Sequence, residues 1–233
     1  SRIPAPRPED LDAALAKAQE LMLSSGLTAA ADMGTAPDEW TAMNRAGQSG
    51  RLEVRIMSYA GGMPGMRAIN GGKPSGWLYA DRLHLGGVKL YADGALGSRG
   101  AFLKEPYADK PDTHGLSLIS VPELRKETET AAAAGYQLAV HAIGDAANAE
   151  VITAFENLSR SYGKNRRWRI EHFQIADPAD IPRLAPAGII ASMQPTHQTS
   201  DRLMAEARLG LRRLTGAYAW RTVLKSGARI AFG

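Results

Sequence analysis

Short apolar runs that end on a polar side chain recur along this chain, and stretches of helical periodicity separate them. The clearest is Leu138 to Asp145 (LAVHAIGD), in which Leu138, Ala139 and Val140 meet His141, then Gly144, Asp145 and a helix-like segment reaching about Tyr162. Gly87 to Gly94 (GVKLYADG) and Trp168 to Gln174 (WRIEHFQ) follow the same pattern, carrying Lys89 and His172. Each reads as a buried strand that delivers a polar group at its carboxyl end. Pro8 to Ser25 spaces Leu11, Leu15, Ala18 and Met22 as a helical stripe that Gly26 stops. Leu27 to Met33 is a strand candidate, Pro37 to Gly47 a short helix with Pro and acids in its first turn, and Leu52, Val54 and Ile56 alternate with charges as a strand.

The Gly-, Pro- and Met-rich segment from Tyr59 to Gly87 predicts a long loop, as does Ala95 to about Ser120. Beyond them the pattern predicts a helix over Val121–Ala134, a strand over Tyr136–His141, a helix over Ala146–Tyr162 and a strand over Trp168–His172. Asp177–Ala187 reads as a helix start kept short by Pro182 and Pro186, and Gly188–Met193 as a strand. A polar loop, a helix over Gly216–Lys225 and a last strand over Ala228–Phe232 complete the chain. Seven strand candidates alternating with helices mean βαβ units and a parallel sheet. A helix comes first and a strand last, so the expected fold class is α/β, a (β/α)8 TIM barrel that is incomplete, with strand 1 and the end of strand 8 missing. A doubly wound open sheet is the competitor. The barrel is preferred because polar strand ends converge on the carboxyl face of a closed ring.

Composition narrows the function classes. At 233 residues, 44% hydrophobic and 22% charged, the chain is expected to form one domain of an ordinary globular protein. A net charge of +4, with Lys and Arg scattered, gives no footprint for nucleic acid or an anionic membrane. No apolar run approaches the roughly 18 residues of a membrane span, no signal pattern opens the sequence, and a cytoplasmic location is expected. A homo-oligomer is compatible with all of this. With no cysteine, any metal must be held by nitrogen and oxygen.

His141 and His172, at equivalent ends of consecutive strands, are candidate metal ligands. Lys89 has several readings. A strand-end Lys among apolar neighbours is costly to bury charged, unless it pairs with Asp93, Glu171 or Asp145 or lays its stem on apolar surface. A neutral amine there can add carbon dioxide to give a metal-bridging carbamate, or form a Schiff base with a carbonyl substrate. Gln194 and His197, in MQPTH, are candidates for substrate contact or oxyanion stabilisation. Asp93 and Arg99 are candidates for substrate contact, a salt bridge or a turn cap. GALGSRG lacks the spacing and the Lys of a phosphate loop, and His84 and His114 are assigned no role.

Five blocks, VKLYADGALGSRGAFLKEPYAD, QLAVHAIGDAAN, RIEHFQIADPADIPRLA, GIIASMQPTHQTSD and LTGAYAWRTVLKSGARIAFG, in this order, resemble the family-3 branch of the metal-dependent amidohydrolases, in particular its YtcJ-like, N-substituted formamide deformylase-like group. The similarity runs from about Pro8 to Gly233. It implies a barrel with metal ligands from an HxH pair on strand 1, a strand-4 lysine that is commonly carboxylated, histidines on strands 5 and 6 and a catalytic aspartate on strand 8. Lys89, His141 and His172 match the middle three. The HxH pair is absent, and the aspartate would follow Gly233, so the resemblance implies a fragment, inactive alone, of a hydrolase of non-peptide C–N bonds. Its substrate would be a small amide or N-substituted formamide, and its cofactor one or two divalent ions, with zinc expected. A Schiff-base lyase using Lys89 and a non-catalytic binding barrel are the alternatives.

Overall fold

The computed structural model describes residues 4–233, which form two compact units: one up to Lys89 together with Ala133–Tyr136, the other Leu90–Ala132 together with Gln137–Gly233. In the first unit α1 (Pro8–Ser24), β1 (Ala29–Thr35), α2 (Pro37–Gln48), β2 (Arg55–Gly61), α3 (Gly62–Ala68) and the greater part of β3 (Leu83–Tyr91) follow one another. β1, β2 and β3 are parallel neighbours in chain order, with Ala30 opposite Ile56 and Ile56 opposite Leu83. Their apolar side chains meet those of α2 and the preceding loop in a core of Met43, Ala46, Leu52, Val54, Ile56 and Leu83. The buried Gln19 of α1 donates from Nε2 to the Arg51 carbonyl and accepts from the Glu53 N–H at Oε1, 3.1 and 2.7 Å away. One amide thus satisfies backbone groups that the chain leaves unpaired just before β2.

The second unit carries α4 (Val121–Ala133) except its last residue, β4 (Gln137–Ala142), α5 (Asp145–Tyr162), β5 (Arg169–His172), α6 (Leu184–Ala187), β6 (Ile190–Met193), α7 (Pro195–Leu209), α8 (Trp220–Lys225) and β7 (Arg229–Phe232). Its strands are again parallel and adjacent in chain order. Val140, Ile170 and Ala191 are register partners with no measurable exposure, the apolar runs that the sequence pattern marks as buried. This strand and helix alternation is that of an incomplete (β/α)8 barrel.

Two segments read as loops are partly regular. The Tyr59–Gly87 stretch contains the end of β2, α3 and the start of β3. Its Gly86 and Gly87 hide the strand pattern, and Gly87 is there for space: a Cβ would stand 2.0 Å from the Tyr59 ring on β2. The polar loop after Met193 is the 15-residue helix α7, with Pro195 in its first turn. Only Ala205 and Leu209 of it are fully buried, so its apolar stripe is too short to stand out from the sequence. Strand 2 also lies a few residues later than Leu52–Ile56, at Arg55–Gly61.

The long loop after β3 is tied to the exit of β4. The Phe102 carbonyl accepts the N–H of Ala146, 3.2 Å away, at the start of α5. Gly144 passes so close beneath it that a Cβ would lie 1.9 Å from the Phe102 oxygen. Gly144→Ala is therefore expected to destabilise the protein by about 3 kcal/mol or more, because overpacking against backbone has no flexible side chain to yield. Urea unfolding of the variant beside the parent measures it.

Candidate functional site

His141, His172 and Gln194 come from the carboxyl ends of three successive strands of the second unit, β4, β5 and β6. In (β/α) barrels this is the end where chemistry is done. The His141 and His172 rings meet edge to face, with centroids 4.7 Å apart. His197, in the first turn of α7, stacks with His172 at a centroid distance of 5.8 Å, and the Tyr91 ring centroid lies 5.6 Å from that of His141.

Strand alternation by itself would part the two histidines. Register places His141 opposite Glu171 and Ala142 opposite His172, so regular pleating sends His172 to the face opposite His141. The backbone changes that. His172 has φ 77° and Phe173 φ 40°, two consecutive side chains in the left-handed region. Turning φ this far swings Cβ about the N–Cα bond and carries the imidazole toward His141. The conformation costs on the order of 1–3 kcal/mol per residue and persists only where the surroundings hold it. Those surroundings are the Phe173 side chain, 1% exposed, and the Gln174 backbone and side chain. The Gln174 carbonyl accepts the Tyr218 N–H, and its Nε2 donates to Asp201 and to the Tyr218 hydroxyl, each at 3.0 Å.

The second ring nitrogen of each histidine is engaged. His172 Nδ1 is 2.8 Å from Gln194 Oε1. His141 Nε2 is 3.3 Å from Asp93 Oδ1 and 3.5 Å from the Gly94 carbonyl oxygen. Asp93 is itself sealed, 1% exposed, and its carboxylate accepts the N–H groups of Phe102, Ile143 and Gly144 at 2.7–2.9 Å. A side chain offered by the sequence for substrate contact, a salt bridge or a turn cap thus sits beneath His141 as a cap on three backbone donors. Arg99 makes a two-pronged contact with Asp109, which also pairs with Arg208. These cations hold the Asp109 carboxyl below the ordinary carboxylate range, the Arg99 hydrogen bonds contributing most.

Lys89, 3% exposed on β3, is the last residue of the first unit. The carboxylates suggested as its partners have these contacts inside the second unit: Glu171 accepts from Arg169 at 2.7 Å, and Asp145 accepts the Lys104 N–H at 2.9 Å, as well as Asp93 binding its backbone donors. Burial pushes the Asp145 carboxyl up, against those backbone bonds. No group of three or more His, Cys, Asp or Glu among the described residues forms a ready metal cluster. The sequence did not single out Gln174, Asp201 or Tyr218. Pro195 at the head of α7, with Ala205 and Leu209 four apart, was the signal for the helix that brings Asp201 in.

A model of the amidohydrolase family matches residues 2–233. The chain belongs to the amidohydrolase family. It falls in the family-3, YtcJ-like branch, being 38% identical over 151 residues to the putative amidohydrolase YtcJ of Bacillus subtilis (65% of this chain, 28% of that protein). It is also 36% identical over 160 residues to Protein LONG AFTER FAR-RED 3 of Arabidopsis thaliana (68% of this chain, 27% of that protein). Among solved structures, an uncharacterized metal-dependent hydrolase of Pyrococcus horikoshii OT3 matches 98% of the amidohydrolase chain at 28% identity and TM-score 0.87, with 45% of its own length covered. The chain thus spans about a quarter of the curated relatives, 27–28%, and under half of that structure, 45%.

Within the Gln174, Asp201 and Tyr218 network, Tyr218 is the group whose titration is displaced. Burial pushes the Tyr218 phenol up to about 12, with Asp201 adding to the rise. The fold holds the neutral phenol, whereas the unfolded chain ionises near pH 10. Its stabilisation is whole below about pH 10 and is lost as pH rises toward 12. In Tyr218→Phe the fall in melting temperature across that window is expected to be shallower than in the parent; an identical slope would remove Tyr218 from the account.

Proposed function

We propose that this amidohydrolase chain forms part of the active site of a metal-dependent hydrolase of non-peptide C–N bonds, with a small amide or N-substituted formamide as substrate. Lys89, His141 and His172 are the residues assigned to hold one or two divalent ions, zinc being the expected metal. The observation that carries the reading is the His141 and His172 pair at adjoining strand ends, 4.7 Å apart, each with one ring nitrogen turned to an oxygen acceptor. Metal-binding histidines are oriented in this way, by a carboxylate or amide oxygen on the nitrogen that does not bind the metal. The donor set of imidazole nitrogen, with carbamate oxygen at Lys89, suits zinc.

A bound divalent ion supplies Lewis acidity toward the substrate carbonyl and lowers the pKa of water toward about 7. The chain's own part is to position the site. Asp93 and Gln194 hold the imidazoles, and His197, whose ring stacks with that of His172, is the residue assigned to hydrogen-bond a carbonyl oxygen as negative charge develops there. Lys89 is buried on β3, 3% exposed, and is the amine assigned to the carbamate. Its neutral amine adds carbon dioxide, forming an N–C bond with loss of one proton, to give an anionic carbamate that is stabilised wherever cations bind.

In the full-length protein, His141→Ala and His172→Ala are each expected to weaken zinc binding on the order of 100-fold or more, beyond the effect of removing an outer-shell partner, and to lose amide hydrolysis with it. Metal analysis after dialysis measures the first loss and turnover of N-substituted formamides the second. Lys89→Ala should lose both as well, with partial rescue by a short-chain carboxylate. Intact protein in bicarbonate and zinc should carry the added mass of carbon dioxide at Lys89. A borohydride-trapped carbonyl adduct at Lys89, with metal content unchanged in the variant, would instead establish the Schiff-base reading.

A further inference from the structure

The amino end of the first unit's strands carries a concave site of its own. Thr28, Glu53, Arg55, Ala80 and Arg82, at the starts of β1, β2 and β3, line an open cavity of about 430 Å³. That size suits a small organic ligand rather than a lone ion. Arg82 directly precedes β3 and Lys89 lies near its other end, so the cavity and Lys89 are at opposite ends of one strand.

The cavity wall contains strained backbone. Tyr79, Ala80 and Asp81 have φ of 54°, 53° and 61°, three consecutive side chains in the left-handed region. A type I′ turn asks for two such residues and takes Asn, Asp or Gly there, whereas this one uses a tyrosine and an alanine. The turn is clamped from both sides. Tyr79 donates its hydroxyl to Asn44 Oδ1 at 2.8 Å, and its ring fills the place of a Cβ on Gly47 of α2, which would lie 2.2 Å from it. On the other side Arg55 Nε donates to the Asp81 carbonyl at 2.7 Å. Strain over-determined in this way gathers at ligand clamps, and here it sets Ala80 and Arg82 into the wall that Arg55 completes.

Charge says what the cavity takes. The Arg82 guanidinium has neither a hydrogen-bond acceptor nor a carboxylate partner among the described residues. Arg55, whose guanidinium lies 5.7 Å over the Trp77 ring, has no carboxylate partner there either. Guanidinium groups recognise oxyanions in bidentate fashion, and a dianion answers two of them better than a monoanion. The Glu53 carboxylate, also without a partner among the described residues, repels a bare anion and calls for a hydroxyl donor on the same ligand. We propose that Arg55 and Arg82 form an anion subsite that binds the phosphate monoester of a small polyol, with Glu53 accepting from its hydroxyls. The subsite shares no residue with the histidine site and does not rest on the reading of that site.

Calorimetric titration of the metal-free full-length protein with glycerol phosphate, inorganic phosphate and glycerol tests this. Glycerol phosphate should bind saturably and more tightly than inorganic phosphate, and glycerol should not bind. Arg82→Ala removes a side chain that has no partner in the fold, so circular dichroism and melting temperature should match the parent while affinity for glycerol phosphate falls about 10-fold or more. Glu53→Gln should narrow the difference between the two phosphates. Absence of saturable glycerol phosphate binding would overturn the proposal, as would unchanged affinity in folded Arg82→Ala. Should Arg82→Ala melt early, Arg82→Gln, which keeps part of the stem, takes its place and is held to the same outcome. Affinity lost in His141→Ala but kept in Arg82→Ala would move the phosphate to the strand-end histidines and refute the subsite. Equal affinities for the two phosphates would refute the part given to Glu53.

Discussion

A carboxylate removed from water costs several kcal/mol unless donors replace its hydration. At Asp93, 1% exposed, the replacements are backbone N–H groups from two places far apart in sequence, Phe102 in the long loop and Ile143 and Gly144 at the exit of β4. Much of the second unit's carboxyl end follows from satisfying this one group. The loop after β3 has to return to β4, Gly144 has to lack a side chain so that the Phe102 carbonyl can approach, and α5 has to begin where it does. His141 then finds an acceptor already in place beneath its ring.

His172 is held by the opposite strategy. Its Nδ1 meets a side chain, that of Gln194 at the head of α7, 2.8 Å away at Oε1. Its backbone is in a left-handed conformation that an L-residue adopts at a cost, and the neighbouring Phe173 shares it. The compensation comes from the burial of Phe173 and from Gln174, whose amide joins Asp201 on α7 to Tyr218. One histidine is thus fixed by a sealed charge under a regular strand, the other by a strained turn that two later segments clamp. Both solutions bring polar groups to strand ends, where a (β/α) barrel leaves room for them.

This arrangement bears on how the amidohydrolase fold hosts chemistry. The strands are interchangeable in their interior: Val140, Ile170 and Ala191 are apolar partners with no exposure. What differs is the first two or three residues past each strand. There the chain spends backbone strain, glycine and buried charge, features that weaken an ordinary loop, and each one aims or supports a side chain of the candidate site. Arg99 and Asp109, an ion pair within the same long loop, are by contrast only partly buried.

The amino-acid sequence by itself determined the alternation of strands and helices, because apolar runs of strand length and helical stripes are local properties that burial then rewards. It also determined which strands end in His141 and His172, and, through five ordered blocks, the family. Tertiary structure decided the rest. No local pattern says that His172 will leave the pleat, since its φ of 77° is held by residues up to Tyr218. The helix α7 was hidden because only Ala205 and Leu209 of it are fully buried, and most of its residues have no core to face. Asp93 looked like one acid among many. Its character comes from three N–H groups, two of them about fifty residues away, and that distance is closed only when the strands assemble.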